Sequence, residues 1–112
     1  MTNTIVYVCG PYSNVDHIEV CNNISRARAT AQCLWASGYA VICPHMNSAH
    51  LDGVISYSKF AKAYINIMLR CDAVFVIDGW ESSFGSIEEI KAAKVAGIPI
   101  YYNLEDLKNA QI

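Results

Sequence analysis

The stretch 78–85 (DGWESSFG), running on into Ser86-Ile-Glu-Glu89, gathers more reactive groups than any other part of the chain. It places acids, hydroxyls and a glycine between an apolar run and the start of a helical pattern. The first turn of a helix presents unpaired N–H groups and a partial positive charge, so such a place favours an anion. Ser82, Ser83 and Ser86 add hydroxyl donors, and Glu89, one turn into the helix, is placed to point into the same cleft. Two readings of Glu89 stand side by side. Ser86-Ile-Glu-Glu89 fits the capping box S-x-x-E, in which Ser86 is the N-cap and Glu89 bonds back to its amide. In the other reading Glu89 is a reactive carboxylate. Glu81 and Glu88 read as solvated surface acids, and Asp78 has the address of a functional acid at the carboxyl end of a strand.

The remaining composition narrows the chemistry. The three histidines and five cysteines have no zinc-like spacing. Neither GxGxxG nor Walker A occurs, so no metal, cofactor, redox or ATP-driven reading has support. The cysteine count is odd and lacks CxxC. Free thiols in a reducing compartment are expected, four of them in apolar surroundings. No basic segment followed by an apolar one opens the chain, and the apolar runs are about strand length, so a cytoplasmic protein without membrane contact is expected. The net charge of −2 argues against broad nucleic-acid binding and leaves room for one small anionic ligand. Apolar residues make up 54% of the 112 residues and charged ones 16%. That is enough for a core, with few charges for a small surface, and a partner subunit covering part of it is expected.

The elements that must position these groups follow from periodicity. Residues 4–9 (TIVYVC) read as a buried strand ended by Gly10-Pro11. A helix over about 16–37 carries Ile24, Ala27, Ala31 and Leu34 at helical spacing, with Gly38 at its C′ position. Strand 39–43 is stopped by Pro44, and a polar loop covers 45–53. The helix over 56–70 has apolar residues nearly all round, as a buried or partner-covered helix does. Strand 72–77, a helix over 86–96 closed by Gly97, strand 98–102 and a short helix at 104–110 complete the chain. Alternating apolar strands and helices predict one α/β domain over 1–112. It is a small doubly wound, flavodoxin- or Rossmann-like parallel sheet of four to five strands with helices on both faces. Ligands of such sheets bind at the carboxyl ends of the strands where strand order reverses. The loops 10–14 and 78–85 are expected to meet there.

The opening Ile5-Val-Tyr7-Val-Cys9-Gly10-Pro11-Tyr12 resembles the first strand and loop of the nucleoside 2-deoxyribosyltransferase-like superfamily. It resembles most the deoxynucleoside 5′-monophosphate N-glycosidases and short uncharacterised bacterial and phage members. Ser83, Gly85, Glu89 and Ala93 fit that superfamily's later motif, Gly97-Ile-Pro99 follows it, and residues 38–44 resemble its second strand. The resemblance spans nearly the whole chain.

It implies that Glu89 is the nucleophile attacking an anomeric carbon and forming a glycosyl-enzyme intermediate. Tyr7 is then expected beside that carboxylate, and Gly10, Pro11, Tyr12, Ser13, Ser83, Gly85 and Ser86 about the substrate. Ser83 stands where the nucleoside-using relatives carry an Asp. A hydroxyl donates to a phosphate that an Asp would repel, so a nucleoside 5′-monophosphate is implied. Two positions depart from the pattern. The first loop lacks the glycosidases' cation, Arg26 and Arg28 reading as a solvated helix face. Tyr64 also occupies the place of an Asp near the base. The proton for the leaving base must come from elsewhere, and His45, His50 and Asp52 are the candidates. Met46, Asn47 and Ser48 are placed to contact a base. The expectation is an N-glycosidase acting on a small nucleotide. The alternatives are a deoxyribosyltransferase and a non-catalytic nucleotide-binding module. A homodimer or larger assembly is implied.

Overall fold

The computed structural model describes residues 3–49, 51 and 53–110. Its elements run β1 (Ile5–Cys9), α1 (His17–Ala36), β2 (Ala40–Ile42), α2 (Pro44–Asn47), α3 (Tyr57–Met68), β3 (Ala73–Val76), α4 (Phe84–Ala96), β4 (Ile100–Tyr101) and α5 (Leu104–Asn109). A 3-10 turn, Trp80–Ser82, precedes α4. The four strands form one parallel sheet in the order β2-β1-β3-β4. The chain thus steps outward from β1 to β2, then returns to add β3 and β4 on the other side. The order reverses between β1 and β3, where the register pairs Val6 with Ala73 and Cys9 with Val76.

Alternation along β1 divides the core. Val6 and Val8 pack with Ala27, Ala31 and Leu34 of α1 and Leu107 of α5. Tyr7 and Cys9 face the opposite side, with Tyr64 and Met68 of α3 and Ile90 and Ala93 of α4. The expected small, doubly wound α/β sheet with both faces covered is therefore present, with four strands. This alternation also decides the site, because it sends Tyr7 toward α4.

The helix ends follow their capping residues. Asp16, Ser56, Ser83 and Asn103 each accept a hydrogen bond from a backbone N–H in the first turn of α1, α3, α4 and α5. Gly97 closes α4 at φ 75°, in the left-handed region that glycine enters without steric cost. The Asp72 carboxylate accepts from Ile5 N at 2.8 Å and ties the start of β3 to the start of β1.

Four details differ from the sequence reading. Helix α4 begins two residues earlier than expected, because Ser83, not Ser86, is its N-cap. The loop after β2 contains the short helix α2, which starts on Pro44, a residue preorganised for a first helical position. Helix α3 is buried along one side only, through Tyr64 and Met68, while Tyr57, Ile67 and Leu69 are exposed. Cys33 is exposed like Cys21; all five cysteines are free, and Cys9, Cys43 and Cys71 are buried. No helix among the described residues is long and apolar enough to cross a membrane.

Candidate functional site

A cleft of about 530 Å³ opens over the carboxyl end of β1 and the segments that follow β2 and β3. Its floor and one wall come from the loop after β1 and the first turns of α4. The other wall comes from α2, the loop after it and α3. The loops 10–14 and 78–85 do meet, and glycine makes the approach possible. A Cβ on Gly10 would lie 2.9 Å from Ile77 Cδ1, and one on Gly79, at φ 92°, would lie 3.6 Å from Pro11.

Glu89 lines this cleft, half-buried, and Tyr7 lies directly behind it. Tyr7 is fully buried and donates its hydroxyl to Glu89 Oε2 at 2.5 Å. A distance this short is typical of a phenol or hydroxyl bonded to an ionised oxygen. Burial pushes the Glu89 carboxyl above its usual range, and the hydrogen bonds from Tyr7 and Cys9 pull against that shift. The Tyr7 phenol is pushed well up by burial and by the adjacent carboxylate, so the shared proton stays on Tyr7. The buried Cys9 thiol lies within reach of both acceptors, Glu89 and the Ser86 carbonyl at 3.7 Å, and shares its one proton between them. Glu89 therefore does not cap α4: it sits in the helix interior and bonds across to β1, and the capping-box reading is set aside.

The start of α4 supplies donors. Ser83 Oγ accepts from Ser86 N at 3.2 Å, which leaves its own proton free to point outward. Ser86 is 2% exposed, and its Oγ has no hydrogen-bond partner among the described residues. The Ser86 side chain lies against the buried Cys9 thiol, beneath the cleft floor. Gly85 and the exposed Phe84 complete the edge.

The first loop is held from below. Asn23 of α1 is buried, donates to the Tyr12 carbonyl at 3.1 Å and accepts from Arg26. Arg26 is thereby engaged on its helix and does not line the cleft. His45 is buried, and its Nε2 lies 3.1 Å from the Gly10 carbonyl and 2.9 Å from that of Pro11. Both partners are acceptors, so Nε2 carries the proton and donates. Burial pushes the imidazolium down, only partly opposed by the two carbonyls. His45 is thus a neutral ring that pins the first loop. In this arrangement its one proton is committed to the loop carbonyls. Tyr12 meets its ring edge-on at a centroid distance of 5.8 Å.

Gly10, Tyr12, Ser13, His45, Ser83, Gly85, Ser86 and Glu89 are brought together around the cleft. Pro11 and Asp78 are not: Pro11 packs toward Gly79, and Asp78 lies outside the cleft wall. His50 and Asp52 lie outside the described residues. Sequence reasoning placed Tyr64 near the base but missed Tyr57 and Phe60, which join it in an aromatic wall. Its signal was the apolar residues of α3, which read equally well as core or subunit interface. No cluster of metal-ligating side chains occurs among the described residues.

Solved structures share this architecture. A 2-deoxyribosyltransferase from Bacillus psychrosaccharolyticus superposes with a TM-score of 0.65 at 20% identity, over 87% of this chain and 69% of that one. A conserved protein from Enterococcus faecalis V583 superposes with a TM-score of 0.54 at 22% identity, over 88% of this chain and 62% of that one. The present chain thus spans less than two thirds of the Enterococcus protein. At these identities the likeness is one of fold, and it is the fold that the sequence resemblance implied. No curated protein matches the chain in sequence. Residues 4–102, nearly the whole chain, match the family described as Domain of unknown function (DUF4406), and the protein belongs to that family.

Proposed function

We propose that the protein is an N-glycosidase that cleaves the base–sugar bond of a nucleoside 5′-monophosphate through a glycosyl-Glu89 intermediate. The observation that carries this reading is the Glu89 carboxylate, open to a cleft on one side and held by the buried Tyr7 hydroxyl at 2.5 Å on the other. A nucleophile for an oxocarbenium-like centre must be ionised, fixed and accessible; the Tyr7 bond fixes this carboxylate and favours its ionised form against burial, and the cleft gives access to it. The shared fold with a 2-deoxyribosyltransferase supports chemistry at a glycosidic carbon. The Ser83 hydroxyl at the N-terminal end of α4, where the helix favours an anion, supports the 5′-phosphate. No carboxylate stands at position 83 to repel it.

A transferase is the second reading, favoured by the function of the Bacillus structure. The two differ in whether water or a second base reaches the glycosyl-Glu89 ester. Liquid chromatography of reactions with a panel of nucleosides and monophosphates, each with and without a free acceptor base, separates them. Release of base and sugar phosphate supports hydrolysis, and a new nucleoside formed only with acceptor supports transfer. A wild-type protein that yields neither product from any member of the panel would sink both.

A further inference from the structure

Where α2 and its following loop meet α3, three side chains form an ordered chain of hydrogen bonds. Asn47 Nδ2 donates to Tyr64 Oη at 3.0 Å, and Tyr64 Oη donates to Ser48 Oγ at 2.8 Å. Ser48 Oγ then donates to the Pro44 carbonyl at 3.2 Å. The direction of this chain is fixed at one end. An amide nitrogen only donates, so the Tyr64 oxygen accepts there and its own proton must point to Ser48. Ser48 receives that proton and must send its own elsewhere. Its partner, the Pro44 carbonyl, is one turn back in the chain, and 3.2 Å is long for a hydroxyl bond. That bond is easily exchanged for a better acceptor. Ser48 and Tyr64 both line the cleft, whereas Asn47 lies behind them.

We propose that Ser48, backed by Tyr64 and Asn47, delivers the proton to the base as it leaves the sugar. The proposal rests on the glycosidase reading above. As the bond from the anomeric carbon to the base nitrogen breaks, its electron pair goes to that nitrogen and the carbon bonds to a Glu89 oxygen. The Ser48 hydroxyl proton passes to the nitrogen, and the Tyr64 proton passes to Ser48. The negative charge then rests on the Tyr64 oxygen, where the Asn47 N–H donates to it. When water opens the glycosyl ester, its oxygen stays with the sugar and its proton returns through Ser48 to Tyr64. Ser48 is the group that meets the substrate, and Tyr64 is the positioning residue that orients and replenishes it. Among the described residues, the His45 proton is held by two carbonyls, and Glu88 pairs with Lys91 at 3.6 Å.

A base that needs no proton provides the test. A 7-methylpurine nucleotide departs as a neutral base, because its ring already carries the positive charge, whereas its unmethylated parent must be protonated. Tyr64→Phe, Ser48→Ala and Ser48→Thr are compared with the wild type on both substrates, using the purine monophosphate released fastest. Tyr64→Phe and Ser48→Ala should lose about a hundred- to ten-thousandfold in kcat on the parent, the range of general acid catalysis, and less than about tenfold on the methylated nucleotide. Ser48→Thr, which keeps the hydroxyl, should restore most of the rate. Equal losses on both substrates would assign the network a purely structural role, and no loss on either would remove it from the reaction. Circular dichroism of each variant shows whether it is folded, and Ser48→Ala carries the test alone if Tyr64→Phe does not fold. A wild type inactive on both substrates overturns the relay together with the reaction it serves. An active wild type with unselective variants overturns the relay alone.

Discussion

Tyr7 and Glu89 are separated by 82 positions in the chain, yet their side-chain oxygens meet at 2.5 Å. The contact joins the central strand to the interior of α4. The fold holds it from both sides: Tyr7 has no exposed surface, and Ile90 and Ala93 anchor the helix to the same core. A carboxylate so placed is costly when ionised, because burial raises it and two hydrogen bonds only oppose that shift.

The first prediction follows from that cost. A carboxyl whose folded pKa is raised contributes stability that is complete below its unfolded value and is lost as pH rises through the folded one. Glu89→Gln removes the charge and keeps an oxygen to accept from Tyr7. At pH 7 to 8 the variant should melt at a higher temperature than the wild type, and the difference should close at about pH 4, below the ordinary glutamate value. Turnover should fall by about a thousandfold or more, since an amide is a poor nucleophile. Scanning calorimetry across pH, paired with the base-release assay, checks both halves. A Glu89→Gln protein that turns over at the wild-type rate would end the nucleophile assignment.

The Tyr7 hydroxyl is predicted to set the acid limb of activity. Glu89 must be ionised to attack, and its raised pKa places the acid limb of kcat/KM above the ordinary carboxylate range. Tyr7→Phe deletes the stronger of the two bonds that favour the ionised form. The limb should move to still higher pH, and stability should drop by about 1–3 kcal/mol, the cost of leaving a buried acceptor without its donor. A pH profile that superposed on the wild type would show that Tyr7 only fills space.

Gly10 is predicted to resist any side chain. Its added Cβ would lie 2.9 Å from Ile77 Cδ1 and 3.1 Å from Ile77 Cβ. The first atom can rotate away, but the second is fixed to the backbone of the segment leaving β3. Gly10→Ala should therefore cost about 1–3 kcal/mol, as overpacking does, which lowers the melting temperature of a domain this size by several degrees. A melting temperature within a degree of wild type would show that the junction of β1 and β3 opens more easily than these distances imply.

The assembly prediction rests on surface chemistry. Trp35, Met46 and Ile67 are exposed on α1, α2 and α3 beside β2, an edge strand of the sheet. With 16% charged residues the surface has few groups to keep copies apart. Sedimentation equilibrium at micromolar concentration should give a dimer or larger species, and a clean monomer mass would reject this.

Much of this was legible in the sequence because it depends on local pattern. The four apolar strands, the Asp16 and Ser56 starts and the Gly38 and Gly97 stops all appear in the structure. What was not legible depends on competition between neighbours or on distant contacts. Ser83 and Ser86 are both sound caps three residues apart, and in the structure Ser83 is the cap. That choice moved Glu89 from a capping position to the helix interior. His45 carried no sequence signal for its bonds to Gly10 and Pro11, because its partners are backbone carbonyls 35 and 34 residues away. Tyr64 read as standing in the place of a base-side Asp and Ser48 as a base contact, but they are 16 residues apart and only the fold pairs them.

The last prediction separates the two tasks of Ser83. Its oxygen caps α4 by accepting from Ser86 N, and its proton is left for a ligand. A substitution that removed both would not distinguish them. Ser83→Ala should lose the cap, at about 1 kcal/mol of stability, and with it any phosphate contact. Ser83→Asp caps as well as serine, so the helix should be unchanged in thermal melting. Its carboxylate, however, brings a negative charge against a phosphate dianion where serine brought a donor. Calorimetry should show the wild type binding a monophosphate about ten- to a hundredfold more tightly than its nucleoside, the worth of one hydrogen bond to a charged group. Ser83→Ala should lose most of that preference, and Ser83→Asp should reverse it in favour of the nucleoside. If Ser83→Asp folded normally and still preferred the monophosphate, the phosphate would have to sit elsewhere in the cleft, and Ser83 would keep only its structural role.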